Sequence, residues 1–247
     1  MTALATPDRP AKAAADNPAH FCMCITPENL PEEAQQRLDG RRAALLNEYR
    51  WPIGSTIRIR FLEGQTALRE RVRLAAERWI APGLAKLQFS WVGSGDADVR
   101  IAFQEGDGSW SYIGTYARQI PKSESTMNFG WLDGASSDRE VREVVLHEMG
   151  HAVGLIHEHQ NPLHPIQWNQ AAVRHDLSGP PNNWDDATIR HNMFDRYDPA
   201  KVTATRVDRK SIMMYPIPLR WTLDGFSSGL NSTLSRGDKR LIKKVYR

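Results

Sequence analysis

The sequence predicts an α+β fold: a mixed, twisted sheet with helices packed against one side, followed by a less regular second half. Three observations lead there. Short stretches of alternating apolar and polar residues recur through the first 130 positions. A helically spaced segment lies between the first and second of them. Beyond His157, Pro, Gly, Asn and Asp become frequent and periodicity thins out. Strand, helix, strand, strand is the order of a mixed sheet covered by helices on one face.

The first 26 residues are rich in Ala, Pro and Asp and have little periodicity, which reads as a flexible or loosely docked extension. Residues 31–49 read as a helix, with Pro31 near its start and Leu38, Leu45 and Leu46 as buried candidates. Ile57, Ile59 and Phe61 alternate with arginines as a strand. Leu68, Val72, Ala75, Ala76 and Trp79 then recur at helical spacing until Pro82 and Gly83 stop the helix. Residues 87–91 and 99–103 alternate again, and residues 126–130 read as one more short strand. Ser137 and Glu140 form the S-x-x-E signature of a helix start, with Val141, Val144, Val145, Met149 and Ala152 as the apolar face behind it. Gly154 should end this helix in a left-handed turn. Further helices are expected within residues 184–197 and 238–246. The expected organisation is an N-terminal extension over residues 1–48 and one domain over residues 49–247, in two halves that meet near residue 157. A cleft between such halves is a natural place for a substrate.

Bulk properties narrow the function. The chain has 247 residues and a formal net charge of +3, with no dense basic stripe interleaved with aromatics, so nucleic-acid binding is not expected. No run is long and apolar enough for membrane insertion, and the N-terminus lacks the apolar core of a secretory signal. Cys22 and Cys24 are the only cysteines and are too close in sequence to staple distant parts of the fold.

The chemistry is concentrated in residues 147–157, which read H-E-x-x-H-x-x-G-x-x-H. Residues four apart share a helix face, so His147 and His151 can point two ring nitrogens at one ion. A break at Gly154 lets His157 return as third ligand. Three neutral imidazoles suit one zinc ion per chain with an open fourth position. Glu148, beside that position, is placed to take a proton from water and later give it to a leaving amine.

This motif resembles that of the metzincin zinc endopeptidases, and Glu158 directly after the third histidine narrows the likeness to the astacin family. Residues 211–215, Ser-Ile-Met-Met-Tyr, resemble that family's Met-turn, S-x-M-x-Y. Trp51-Pro52, the strand at Ile57, residues 108–114 (Gly-Ser-Trp-Ser-Tyr-Ile-Gly) and Leu234-Ser235-x-x-Asp238 follow the family's order over roughly residues 49–247. The resemblance implies a metzincin catalytic domain with a sheet-containing upper part and an irregular lower part. It implies Met213 as an apolar floor beneath the zinc, and Tyr215 as a reversible metal ligand that supports the oxyanion. It also implies that Ser125, Thr126, Met127, Asn128, Phe129 and Gly130 form the edge strand that an extended protein or peptide substrate joins. Secretion is implied by the family alone.

The chain departs from the family in three places. It cannot form the usual disulfides, and Ser109 stands where the family often has cysteine. Gln160-Asn161-Pro162 replaces the family's continuation after the third histidine. Residues precede the domain where the family's processed N-terminus would dock near Glu158, so Glu158 is either that docking partner or a buried structural carboxylate. Cys22 and Cys24, after His20, are candidate latency ligands, since a thiolate binds zinc well; two thiols in a tail without such a role is the alternative. Arg220 is a candidate for favouring an acidic substrate residue, with an ordinary surface arginine as the other reading. His164, His175 and His191 lack ligand spacing and read as surface or hydrogen-bonding residues. Two rival functions are a catalytically silent zinc-containing binding module and hydrolysis of a non-peptide amide.

Overall fold

The computed structural model describes residues 21–26, 48–163, 165–200, 202–204 and 206–247. The expected helix over residues 31–49 falls almost wholly outside them, as does His164. One six-stranded sheet runs through the first half: β1 (Cys22–Ile25), β2 (Thr56–Phe61), β3 (Gln88–Trp91), β4 (Val99–Ala102), β5 (Ser109–Tyr112) and β6 (Met127–Phe129), in the order β1-β5-β6-β4-β2-β3. β6, β4, β2 and β3 run parallel to one another. β5 pairs antiparallel with β6, and β1 pairs parallel with β5.

Helix α1 (Thr66–Ala76) forms where the sequence spacing places it, burying Leu68, Val72, Ala75 and Ala76, and a 3-10 turn carries Trp79 into the same core. Helix α2 (Asp138–Ala152) packs beside it, and together they cover the sheet with Ile57, Ile59, Val99, Ile101, Met127 and Phe129 beneath. The Trp79 indole N–H donates to the Leu146 carbonyl at 2.9 Å, so the core aromatic also ties α1's extension to α2. β4 departs from alternation. Both its faces are covered, and Arg100 is buried because its guanidinium donates to the carbonyls of Ala97, Ile120, Pro121 and Glu124.

Two expectations are corrected. Residues 125–130 do not form an edge strand, because β6 lies between β5 and β4 and is buried along its length. β5 takes that role, with β1 laid along it. Residues 22–25 of the extension are therefore an ordered strand. The N-terminal tail reading missed this because the Ala/Pro-rich composition around the segment masked a short run of strand-forming residues.

After α2 the chain forms short helices: α3 (Gln170–Leu177), α4 (Asp186–Ile189), which widens into a single π turn over Arg190–Phe194, and α5 (Arg236–Val245). Their second apolar cluster holds Val173, Leu177, Trp184, Ile189, Met193, Met214, Ile217 and Trp221, together with Phe21 from the extension. α5 starts with Ser235 and Asp238 capping each other's backbone N–H groups. The Asp238 carboxylate also accepts from Ser211 Oγ and Ile212 N, which anchors the turn before Met213.

Candidate metal centre

Helix α2 begins at Ser137, whose hydroxyl accepts from Glu140 N, and ends against Gly154, at φ +94°. His147 and His151, one turn apart, point inward, and the chain reverses at Gly154 to bring His157 back to them. His151 Nε2 lies 3.2 Å from His147 Nε2 and 3.2 Å from His157 Nε2. Nitrogens about 2.0 Å from a tetrahedral zinc stand about 3.3 Å apart, so the spacing matches a shared ion.

The outer ring nitrogens fix the tautomers. His147 Nδ1 donates to the Ile212 carbonyl and His151 Nδ1 to the Leu155 carbonyl, both at 2.8 Å. His157 Nδ1 donates to Gln160 Oε1 at 3.3 Å, while the Gln160 amide N–H₂ donates to the carbonyls of His191 and Asp195 and so faces its oxygen toward the ring. All three Nε2 lone pairs then point at one place, an arrangement that repels itself without a cation. Burial favours the neutral rings. It lowers the pKa of His147 to about 4 against the opposing Ile212 hydrogen bond, and it lowers those of His151 and His157 with help from the neighbouring histidines.

Glu148 is fully buried, and neither carboxylate oxygen has a hydrogen-bond partner. Burial raises its pKa well above the usual carboxylate value, with the neighbouring Cys22 thiol opposing the rise. A buried carboxylate kept without partners beside three convergent lone pairs fits a site built for a cation and a polar ligand on it.

The Met-turn packs against α2 from below. A Cβ on Gly150 would collide with Met213 Sδ, so glycine is what allows the thioether so close. Tyr215 is buried with its ring 4.3 Å from His157 and 4.6 Å from His159, and its hydroxyl donates to the Cys22 carbonyl.

A family model described as Astacin, a peptidase family, matches residues 46–218. The chain belongs to the astacin family. Among solved structures, this astacin is similar to one titled "Structure of myroilysin", with a TM-score of 0.79 and 41% identity over 83% of this chain and 98% of that one. A second, "Crystal structure of myroilysin", gives 0.65 and 36% over 94% and 93%. The fold also matches that of "High choriolytic enzyme 1 (HCE-1), a hatching enzyme zinc-protease from Oryzias latipes (Medaka fish)", at 0.50 and 16% over 81% and 95%. No match was found among curated proteins. This astacin is a zinc metalloendopeptidase acting on protein or peptide substrates, and His147, His151 and His157 form the group that fits its zinc. No described helix is long and apolar enough to cross a membrane.

Other expected residues fall into place or away. Cys22 Sγ lies within 4.8 Å of ligand atoms of His147 and Glu148. Cys24 sits two residues on, about 6.6 Å along a strand, in a separate cluster with Tyr49, Ile113, Tyr116 and Ile120, so it is not brought to the metal centre. Glu158 is a buried carboxylate accepting from Asp208 N and Asn161 Nδ2, and burial raises its pKa to about 7. It lines a cavity with Arg50, Gly154, Thr203 and Tyr246. His175 pairs with Asp176 and His191 with Asp195, and neither joins a metal-competent group among the described residues. Arg220 pairs with Asp176 at 2.7 Å. Sequence reasoning missed His159, which stacks on His157 and donates from Nε2 to the Asn192 carbonyl. It also missed Gln160, which lies in the segment where the family pattern is lost.

Proposed function

We propose that Glu148 is the general base and then the general acid of peptide hydrolysis, and that residues 21–26 hold the enzyme latent. The fully buried Glu148 carboxylate, beside three convergent imidazoles and with only the Cys22 thiol named as a polar neighbour, carries the reading. Zinc, when bound by His147, His151 and His157, acidifies a water and polarises the scissile carbonyl. Glu148 would take a proton from that water and hand it to the leaving amine, its carboxylate lying beside the three imidazoles. The Tyr215 hydroxyl donates to the carbonyl oxygen as it gains charge. The hydroxyl already makes a contact of that kind with the Cys22 carbonyl, so displacing the segment frees it for substrate. Extended substrate adds to β5, whose ladder partner β1 has left.

Latency follows from the same contacts. β1 covers the substrate edge, and Cys22 brings a thiol, a good zinc ligand as thiolate, to His147 and Glu148.

Glu148→Gln in activated enzyme should lower casein hydrolysis about 10²- to 10⁴-fold, with one zinc per chain still found by elemental analysis. Full hydrolysis by the variant would remove Glu148 from the mechanism.

A further inference from the structure

Besides its cysteines, the extension buries Phe21. It is 5% exposed and belongs to the second apolar cluster although it comes from the extension. Its ring stacks on Trp221 at 5.5 Å, meets Tyr215 edge-on at 4.9 Å and tilts against Trp184 at 5.9 Å. Trp221 is held in place by its own indole N–H, which donates to Asp176 Oδ2 at 2.5 Å. Phe21 thus sits in an aromatic slot walled by Trp184, Tyr215 and Trp221, one residue along the chain from Cys22 at the metal centre.

We propose that this slot is the subsite for the substrate residue that follows the cleaved bond, and that it selects aromatic and large apolar side chains there. The assignment rests on the endopeptidase mechanism proposed above.

Chain direction decides which side of the bond the slot serves. β1 runs parallel to β5. A chain lying in that direction carries its peptide bonds past Glu148 and Tyr215 in the order opposite to that of an antiparallel chain, even though its Cys22 carbonyl meets the Tyr215 hydroxyl. That suits an occupant that must survive in the cleft. A substrate runs the other way, antiparallel to β5, which is also the more stable ladder. Reversing the chain turns the residue before the metal-centred one into the residue after it. The Phe21 slot therefore receives the side chain immediately C-terminal to the cleaved bond.

The chemistry of the walls sets the preference. The cluster around Phe21 consists of Ile, Val, Leu, Met, Trp and Tyr side chains, with Trp168, Ala172, Phe194, Val207 and Phe226 packed at its margin. Arg220, the one cation that sequence reasoning offered for an acidic residue, is committed to Asp176 through both Nε and Nη2, at 3.0 and 2.7 Å. An acidic side chain in the slot would lose its hydration against aromatic walls, while the arginines at the cluster's margin are engaged elsewhere, Arg174 with Asp186 and over the Phe194 ring and Arg209 over the Phe226 ring. A phenylalanine there repeats contacts the enzyme already makes with its own extension.

The test uses the full chain carrying Phe21→Ala and Cys22→Ser, which removes two holds of the extension without touching His147, Glu148, His151, His157 or Tyr215. It is incubated with a peptide library of random sequence and both ends of every product are sequenced. Phe, Tyr, Trp, Leu and Met should be enriched about tenfold or more over Gly and Asp at the first position after the cleaved bond. Adding Trp184→Ala should reduce the Phe-to-Gly ratio at that position severalfold. A flat profile, an acidic preference, or apolar enrichment only before the bond would overturn the assignment. So would an unchanged ratio with Trp184→Ala. Failure of the underlying reading looks different: cleavage that persists with Glu148→Gln added would discard the mechanism, whatever the profile at the slot.

Discussion

At the residue scale the metal centre is a problem of where protons sit. Carbonyl oxygens of Ile212 and Leu155 can only accept, so they hold the protons of His147 and His151 on Nδ1 and turn the Nε2 lone pairs inward. Gln160 does the same for His157 with a side-chain oxygen, oriented by its own two donations. Gln160→Ala should therefore weaken zinc affinity about 10- to 100-fold, read by competition with a chelating dye. Tyr215 works on the opposite side of the reaction. Tyr215→Phe keeps the ring contacts with His157 and His159 but removes the donor, so kcat of the activated enzyme should fall about 10²-fold or more, with KM little changed. An equal kcat would show that the hydroxyl serves only the extension. The three histidines and the position of Glu148 beside them were legible in the sequence because their spacing carries the geometry, and the place of Tyr215 near them was implied by the likeness of residues 211–215 to a Met-turn. Gln160 and His159 were not, since their roles depend on carbonyls some thirty positions away, in and just after the π turn.

At the scale of elements, α2 is held from both ends and from below. Its start is capped by Ser137, its end is released by Gly154, and Met213 presses against Gly150. Gly150→Ala would drive a methyl into the Met213 thioether. The variant should lose about 1 to 3 kcal/mol of stability in thermal or denaturant unfolding, as an overpacked core does, and bind zinc more weakly. Most elements could be read from periodicity: β2, β3, β4, β6, α1, α2 and α5 all lie where alternation or helical spacing places them. β6 was read correctly as a strand but wrongly as an edge, because a three-residue segment gives no sign of how many neighbours it has. β5 was quoted as a motif without being read as a strand; Ser-Trp-Ser-Tyr does alternate, but its apolar positions are aromatic and amphipathic. β1 was hidden because strand pairing is a long-range property, and its partner lies far along the chain, with Cys22 opposite Ser109.

At the scale of the whole molecule, the extension and the zinc act on one cleft. Cys22→Ser in the full chain should allow casein degradation without prior N-terminal processing, whereas Cys24→Ser, outside the metal centre, should not. Identical latency in both variants would assign the inhibition to β1 pairing and Phe21 alone. Chelation should abolish hydrolysis and lower the melting temperature, because binding to the folded state alone contributes about 4 kcal/mol when free metal exceeds its Kd a thousandfold. Added zinc should restore both. One further contact reaches across the molecule. The Tyr246 hydroxyl accepts from Trp51 N and donates to the Val153 carbonyl at 2.7 Å, where α2 ends, and the Tyr246 carbonyl accepts from Lys86 N. The turn that delivers the third imidazole is thus buttressed by a tyrosine 93 residues further along the chain than Val153. During synthesis on the ribosome all three histidines emerge long before that buttress does. Firm capture of the ion accordingly waits for that contact, and Tyr246→Phe, which takes the hydroxyl away from Trp51 N and the Val153 carbonyl, should make the bound metal easier to strip.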